Sequence, residues 1–327
     1  MNICFLDKTS FTYNSRDLNS YKLRGAETVL INIANSLVQL GHQVTIINNC
    51  PKNELISDVN WLNIWNLKKK YFFDLAISNN DCQLFNKIIS KKKILLSHSI
   101  QSLEKFIRKK QFFSYYKHRP KVALLGKYHL SKRSFLTKVF GYFMLPYGID
   151  EIFINEKLKN INEIDNFKAI FTSRSDRNLD LLINIWKNHI YPKFKNGKLF
   201  VTPKKNFLYK NFNIYKRSTG DRKLMINDLI SSRMLLVPGH NAELFCLAAE
   251  EARELCLPII TLGIGSLSER VIHGKTGFIA KNNLEFAKYT IDLFNDNELW
   301  NEIRLNLINL RGKSTWKNCA KTLLLNI

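Results

Sequence analysis

Residues 237–278 of this 327-residue chain read VPGHNAELFCLAAEEARELCLPIITLGIGSLSERVIHGKTGF, with Glu243 ahead of a helical stretch and Glu251 eight positions later. A carboxylate at a loop-to-helix junction accepts hydrogen bonds from sugar hydroxyls. One on the helix, up to ~12 Å further on at 1.5 Å per residue, can hold a ribose at the other end of the same molecule. Between them the amides of Leu244 and Phe245 are expected to open the helix and face a diphosphate. The same spacing also suits an acidic helix start favoured by the macrodipole, with Glu250, Glu251 and Glu254 merely solvated. A second segment, Phe171-Thr172-Ser173-Arg174-Ser175-Asp176-Arg177-Asn178-Leu179, reads as a strand end followed by a helix start. Arg174 and Arg177 there can grip a pyrophosphate leaving group, or Asp176 can cap the helix with both arginines in solvent. The chain has no D-x-D pair to carry a metal, so cationic side chains are expected to offset charge on a departing diphosphate.

Two further positions have chemical potential. Gly25, within Leu23-Arg24-Gly25-Ala26-Glu27, stands at the first strand-to-helix junction, where a missing Cβ lets backbone approach a ligand. His98 directly follows an apolar run at 94–96, so it falls at the carboxyl end of a strand. Such a histidine can hydrogen-bond a sugar hydroxyl or orient an acceptor, or it can be purely structural.

These residues need a scaffold, and the apolar runs supply one. Short runs at 2–6, 44–47, 75–77, 94–96, 122–125 and 142–145 alternate with helix-length segments. The pattern restarts with strands at 169–172, 199–202, 234–237 and 258–262, and with helices at 178–189, 248–255, 286–310 and 313–325. Strands alternating with helices imply parallel pairing, hence an α/β chain of two Rossmann-like doubly wound domains facing a central cleft. The expected organisation is an N-terminal domain at 1–150, a C-terminal domain at 151–311 and a terminal helix at 312–327. Residues 150–167 are expected to link the domains, and 209–223 to form a loop.

Composition narrows the class. With 45% hydrophobic and 24% charged residues the chain is globular rather than disordered. The apolar N-terminal run stops at Asp7-Lys8, too short for a secretory signal, and no run reaches the ~18–20 residues of a membrane span. A cytoplasmic protein is expected. The six cysteines, Cys4, Cys50, Cys82, Cys246, Cys256 and Cys319, are scattered in apolar surroundings, which implies buried thiols. The net charge is +23, of which +15 arises between residues 66 and 141, with 18 Lys and Arg against 3 Asp and Glu. Within 102–120, Lys105, Arg108, Lys109 and Lys110 are interleaved with Phe106, Phe112 and Phe113. That pattern suits the surface of an anionic bilayer, with some of the aromatics serving as a helix's inner stripe.

Together the motifs resemble glycosyltransferase family 4, the retaining family of the GT-B fold. Arg24-Gly25-Ala26-Glu27 and Leu40-Gly41-His42 resemble its opening, and Leu145-Pro146-Tyr147-Gly148-Ile149-Asp150 its first-domain end. Ser173-Arg174 with Asp176-Arg177 is similar to its donor-diphosphate loop, and Glu243 through Glu251 to its E-x7-E element. The resemblance implies that Glu243 binds the donor sugar and Glu251 the ribose. It places Arg174 and Arg177 on the diphosphate, Gly25 near it, and His98 on the sugar or acceptor side. It also implies a terminal helix packed on the first domain. The expected activity is metal-independent, cofactor-free and retaining, moving sugar from a UDP- or GDP-sugar to a glycan or lipid-linked acceptor in lipopolysaccharide, capsule or other cell-surface glycan synthesis. The expected location is cytoplasmic, peripheral on the inner face of the membrane. Arg24, Tyr147, Asn178, Leu244 and Cys246 depart from the usual residues. The rival readings are a catalytically decayed protein, an epimerase on the same fold, and a non-enzymatic polyanion binder. Nucleic acid is not an expected partner, because the basic stretch excludes the carboxylate and arginine elements.

Overall fold

Asn2–Leu6 (β1) is apolar at every position after the first and buried from Ile3 onward, as a central parallel strand must be. It belongs to a computed structural model that describes residues 1–18, 23, 25–204, 210–218, 220 and 222–327. By its contacts the chain divides into two units, Met1–Gly148 with Thr315–Ile327, and Ile149–Ser314.

In the first unit β1 leads to α1 (Gly25–Gln39), then β2 (Gln43–Asn48), β3 (Glu54–Ile56), β4 (Val59–Asn63), β5 (Phe72–Asn79) and β6 (Ile89–Leu96). Two short helices, α2 (Leu103–Arg108) and α3 (Phe112–His118), precede β7 (Lys121–Leu124), α4 (Lys127–Lys132) and β8 (Tyr142–Met144). The sheet order is β3-β4-β2-β1-β5-β6-β7-β8, parallel except for the antiparallel β3–β4 pair. That hairpin turns on Ser57 and Asp58, both left-handed, without a glycine to announce it.

The second unit runs α5 (Glu151–Ile154), β9 (Asp165–Phe171), α6 (Leu179–Ile185), β10 (Lys198–Val201), β11 (Ile214–Lys216), α7 (Arg222–Ile230) and β12 (Ser232–Leu236). It continues with α8 (Leu247–Glu254), β13 (Ile259–Thr261), β14 (Gly277–Ile279), α9 (Asn283–Asn295) and α10 (Asn297–Leu310). Its sheet order is β11-β10-β9-β12-β13-β14, all parallel. Its core includes Trp186, Trp300 and Phe286. The terminal helix α11 (Trp316–Leu325) packs against α1 within the first unit.

Two expectations are corrected. The stretch expected to link the domains contains α5 and the start of β9, with Phe153 buried in the core. The stretch expected to be a loop at 209–223 holds β11, paired to β10 through Leu199 and Ile214, and the first residues of α7; Tyr209 lies outside the described residues. All six cysteines are buried and free.

Candidate active site

The second sheet reverses its winding direction at β9 and β12, which are neighbours although β10 and β11 intervene in sequence. The loops leaving the carboxyl ends of such a strand pair diverge and leave a crevice between them, the usual ligand position in open α/β sheets. Here the loop after β9 carries Arg174 and Arg177, and the loop after β12 carries Glu243. The expected donor residues of these two loops are therefore brought together by topology.

Contacts hold the loops in place. Asn178, itself left-handed, donates its amide to the Gly239 carbonyl at 2.5 Å and stitches the β9 loop to the β12 loop. Gly239 and Gly265 both have positive φ, and a Cβ on Gly265 would lie 2.3 Å from the His240 carbonyl oxygen. The close approach of the β12 and β13 loops therefore depends on glycine. The Ser266 amide donates to the Glu243 carbonyl at 3.0 Å, so the β13 loop also props the Glu243 backbone.

The charged groups form one chain. Arg174 lies 2.7 Å from Asp176, and Arg177 bridges Asp176 at 3.4 Å and Glu243, also at 3.4 Å. Arg174 is largely exposed, whereas Arg177 and Glu243 are mostly buried. Burial holds the Glu243 carboxyl above the ordinary carboxylate range, while Arg177, His240 and the Cys246 amide pull the other way. Two guanidinium groups flanking a strand end, one of them exposed to solvent, can hold a diphosphate.

Leu244 and Phe245 correct an expectation. They do not open the helix: Cys246 is left-handed, and α8 begins at Leu247. Both side chains are buried, and the Arg270 guanidinium lies over the Phe245 ring at 4.5 Å. Nor are all the carboxylates of α8 solvated. Glu250 is buried between Arg253 and Arg270, and Glu254 is buried against Arg253 and the Gly312 amide. Glu251 faces a different group. Its carboxyl is pushed up to about 7, chiefly by burial and then by Asp150, against the pull of Arg222 and Arg217. Arg222 pairs directly with Asp150. Sequence reasoning assigned no role to Arg217, Arg222 or His240; Asp150 and Asn178 stand in its motifs, but their partners Arg222 and Gly239 carry no linear signal.

In the first unit, Gly25 is the exposed first residue of α1, while Arg24 lies outside the described residues. His98 follows β6, and its amide donates to Asn80 at 2.7 Å. Its Nδ1 lies 2.6 Å from the Tyr147 hydroxyl, and its Nε2 is buried without a partner. Burial, then the charge of His129, pushes the imidazole down to about 3, so the ring is neutral. In the tautomer that accepts from the phenol at Nδ1, Nε2 carries the proton and can donate to a hydroxyl.

The basic stretch divides. Ile107 and Phe113 are exposed, Phe113 at 83%, and Arg108, Lys109 and Lys110 are exposed beside them. Phe112 is not free to face a bilayer: it packs on Tyr116 at 4.7 Å and joins the core cluster of Phe106 and Tyr115. Lys105 is half-buried, with its ammonium 3.3 Å from the Ile100 carbonyl. Among the described residues no helix is long and apolar enough to cross a membrane, and no group of three or more His, Cys, Asp or Glu is arranged to hold a metal ion.

Residues 205–309 match the family model for glycosyl transferases group 1. Sucrose-phosphate synthase from Thermosynechococcus elongatus aligns over 98% of this chain and 97% of its own, with TM-score 0.70 and 12% identity. Anabaena HepE, solved in complex with UDP, aligns over 100% and 99% with TM-score 0.70 and 14% identity. WaaG, a glycosyltransferase involved in lipopolysaccharide biosynthesis, aligns over 98% of both chains with TM-score 0.69 and 12% identity. No curated protein matches the sequence. Residues 205–309 thus carry a glycosyl transferases group 1 domain within a chain of GT-B fold, and on that footing the protein is a glycosyltransferase.

Proposed function

We propose that this glycosyltransferase takes its sugar from a nucleotide-diphosphate sugar, a UDP- or GDP-sugar, without a metal ion and with retention of anomeric configuration. The observation that carries the reading is the Arg174–Asp176–Arg177–Glu243 chain at the switch point of the second sheet. Arg174 and Arg177 take the diphosphate, and Glu243 exchanges its partner Arg177 for the donor sugar's hydroxyls. Glu251 accepts from the ribose. Structures of Anabaena HepE with UDP and with UDP-glucose support a diphosphate donor for this fold.

In the proposed reaction an acceptor hydroxyl attacks the anomeric carbon on the face the leaving group departs from. The bond from that carbon to the diphosphate oxygen breaks, and the acceptor's proton passes to the departing phosphate. Guanidinium groups offset the growing negative charge, the task a metal ion performs elsewhere. No protein nucleophile is needed. His98 Nε2–H is assigned to a sugar or acceptor hydroxyl, and Gly25 to a backbone approach to the phosphates. The test is proton NMR of the product's anomeric centre, made with EDTA present. Retention supports the reading; inversion, or strict dependence on magnesium, overturns it.

The acceptor is proposed to be a glycan or lipid-linked chain of the cell surface, with the first unit peripheral on an anionic membrane. Supporting this, Ile107, Phe113, Phe135 and Leu136 are exposed, with Arg108, Lys109, Lys110 and Lys132 exposed around them. The Tyr116 hydroxyl donates to the Leu136 carbonyl at 3.3 Å and ties the turn Phe135–Thr137 to α3. Exposed apolar side chains ringed by cations suit a bilayer surface, each cation contributing about 1 kcal/mol.

A further inference from the structure

Much of the charge excess between residues 66 and 141 gathers away from α2. Lys68, Lys69 and Lys70 precede β5, Lys91, Lys92 and Lys93 lie on β6, and Lys117, Arg119 and Lys121 lead from α3 into β7. These segments meet because β6 lies between β5 and β7, with Leu75 opposite Lys92 and Ile94 opposite Lys121. They occupy the amino half of the parallel strands, the end of the sheet remote from His98. A recess of about 370 Å³ opens there, lined by Lys91, Lys92, Lys93, Arg119 and Lys121, with Asn326 and Ile327 beside them. Leu75, Ile94 and the Phe140 ring supply its apolar lining.

These cations are poorly compensated. Lys91 pairs with Asp74 at 2.9 Å. Among the described residues no ion pair joins Lys92, Lys93, Arg119 or Lys121 to a carboxylate. Lys93 donates to the Ser90 carbonyl at 3.1 Å, Lys121 donates to the Asn326 carbonyl at 2.9 Å, and the Arg119 guanidinium lies 5.8 Å from the Phe140 ring centre. Arg119 also caps α3 in the left-handed conformation, φ 48°, where glycine is least strained. The crowding registers on His118. Burial, then the charges of Lys93, Lys117 and Lys70, pushes its imidazole down to about 4.

Like charges gathered in a concave surface repel one another, and a multivalent anion relieves them all at once. The apolar lining suits an organic scaffold better than a bare ion, and the volume falls in the range of small-molecule sites. We propose that this recess is a second ligand site, separate from the donor loops, that binds an organic molecule bearing two or more phosphate or sulfate groups. A soluble phosphorylated or sulfated sugar and an acidic lipid headgroup present the same chemistry.

Titration calorimetry with inositol hexakisphosphate tests this on the whole protein. Binding to the wild type is expected to weaken at least about tenfold in Lys92→Gln/Arg119→Gln. The α2 control Arg108→Gln/Lys109→Gln, which loses the same charge, is expected to stay within about twofold. Lys92→Gln alone, at an exposed position, repeats the test without touching the strained cap. Competition separates the sources: displacement by a heparin-derived hexasaccharide assigns a soluble sugar, and displacement by vesicles carrying phosphatidylinositol 4,5-bisphosphate, but not by phosphatidylglycerol vesicles, assigns a polyphosphorylated headgroup. Absent binding to the wild type, equal weakening in both double variants, or displacement by neither competitor overturns the proposal.

Discussion

Arg177 stands between two carboxylates, Asp176 and Glu243, and is the only residue described as touching both. Its loss has two effects that can be separated. Arg177→Ala leaves Glu243 partly buried without its guanidinium and removes a contact to the diphosphate. The expected outcome is a nucleotide dissociation constant raised by about tenfold or more, measured by calorimetry. Glu251 makes a pH prediction. Its carboxyl titrates at about 7, so it is largely protonated at pH 6 and largely ionised at pH 8. A ribose-accepting role needs the ionised form, so affinity for UDP-glucose, or for the GDP-sugar if that is the donor, is expected to rise about tenfold from pH 6 to pH 8. Glu251→Gln should flatten that profile. The stability sign is opposite: folding favours the protonated form, so this contribution is present at low pH and is lost as pH rises through about 7. A flat wild-type binding profile would remove Glu251 from the ribose.

At the level of loops and strands, the site depends on positions that carry no charge. Gly265→Ala forces a Cβ to within 2.3 Å of the His240 carbonyl at φ +75°. It is expected to lower stability by about 1–3 kcal/mol and to weaken nucleotide binding, read from the denaturation midpoint and from titration. A variant with the wild-type midpoint would show that the β13 loop is not fixed by this contact. Such positions also mark the limit of what the sequence reveals. The E-x7-E spacing and the paired arginines are legible because their chemistry is local to one strand end. Asn178 and Gly239 act only through a bond that forms once β9 and β12 lie side by side, which no linear spacing announces. The same holds for structure: β1, β2 and β5 hold buried apolar runs and β6 ends on one at residues 94–96, whereas β11 buries only Ile214 and β3 sits at a sheet edge. Phe112 reads as surface because it sits among basic residues, yet the aromatic stack with Tyr116 and Phe140 claims it.

Across the whole molecule, function divides by unit. Arg174, Arg177, Glu243 and Glu251, proposed for the donor, lie in Ile149–Ser314, and the charge excess lies in Met1–Gly148. Through the first unit, the protein is expected to sediment with phosphatidylglycerol liposomes at low salt and to be released from them as salt rises, since exposed charges are screened. Phe113→Ser with Phe135→Ser should weaken sedimentation without altering nucleotide binding. Equal sedimentation with neutral liposomes would remove the charge from the account. The central claim, however, is the nucleotide site, and thermal shift reaches it most directly. UDP, GDP, ADP and CMP are each added to wild type and to Arg177→Ala, with magnesium or with EDTA. Ligand at about 100 times its dissociation constant stabilises the folded state by ~2.7 kcal/mol, enough to move the melting temperature visibly. UDP or GDP alone is expected to raise the wild-type melting temperature, equally with EDTA, and Arg177→Ala is expected to lose the shift. No shift with any nucleotide, or the same shift in the variant, would contradict it.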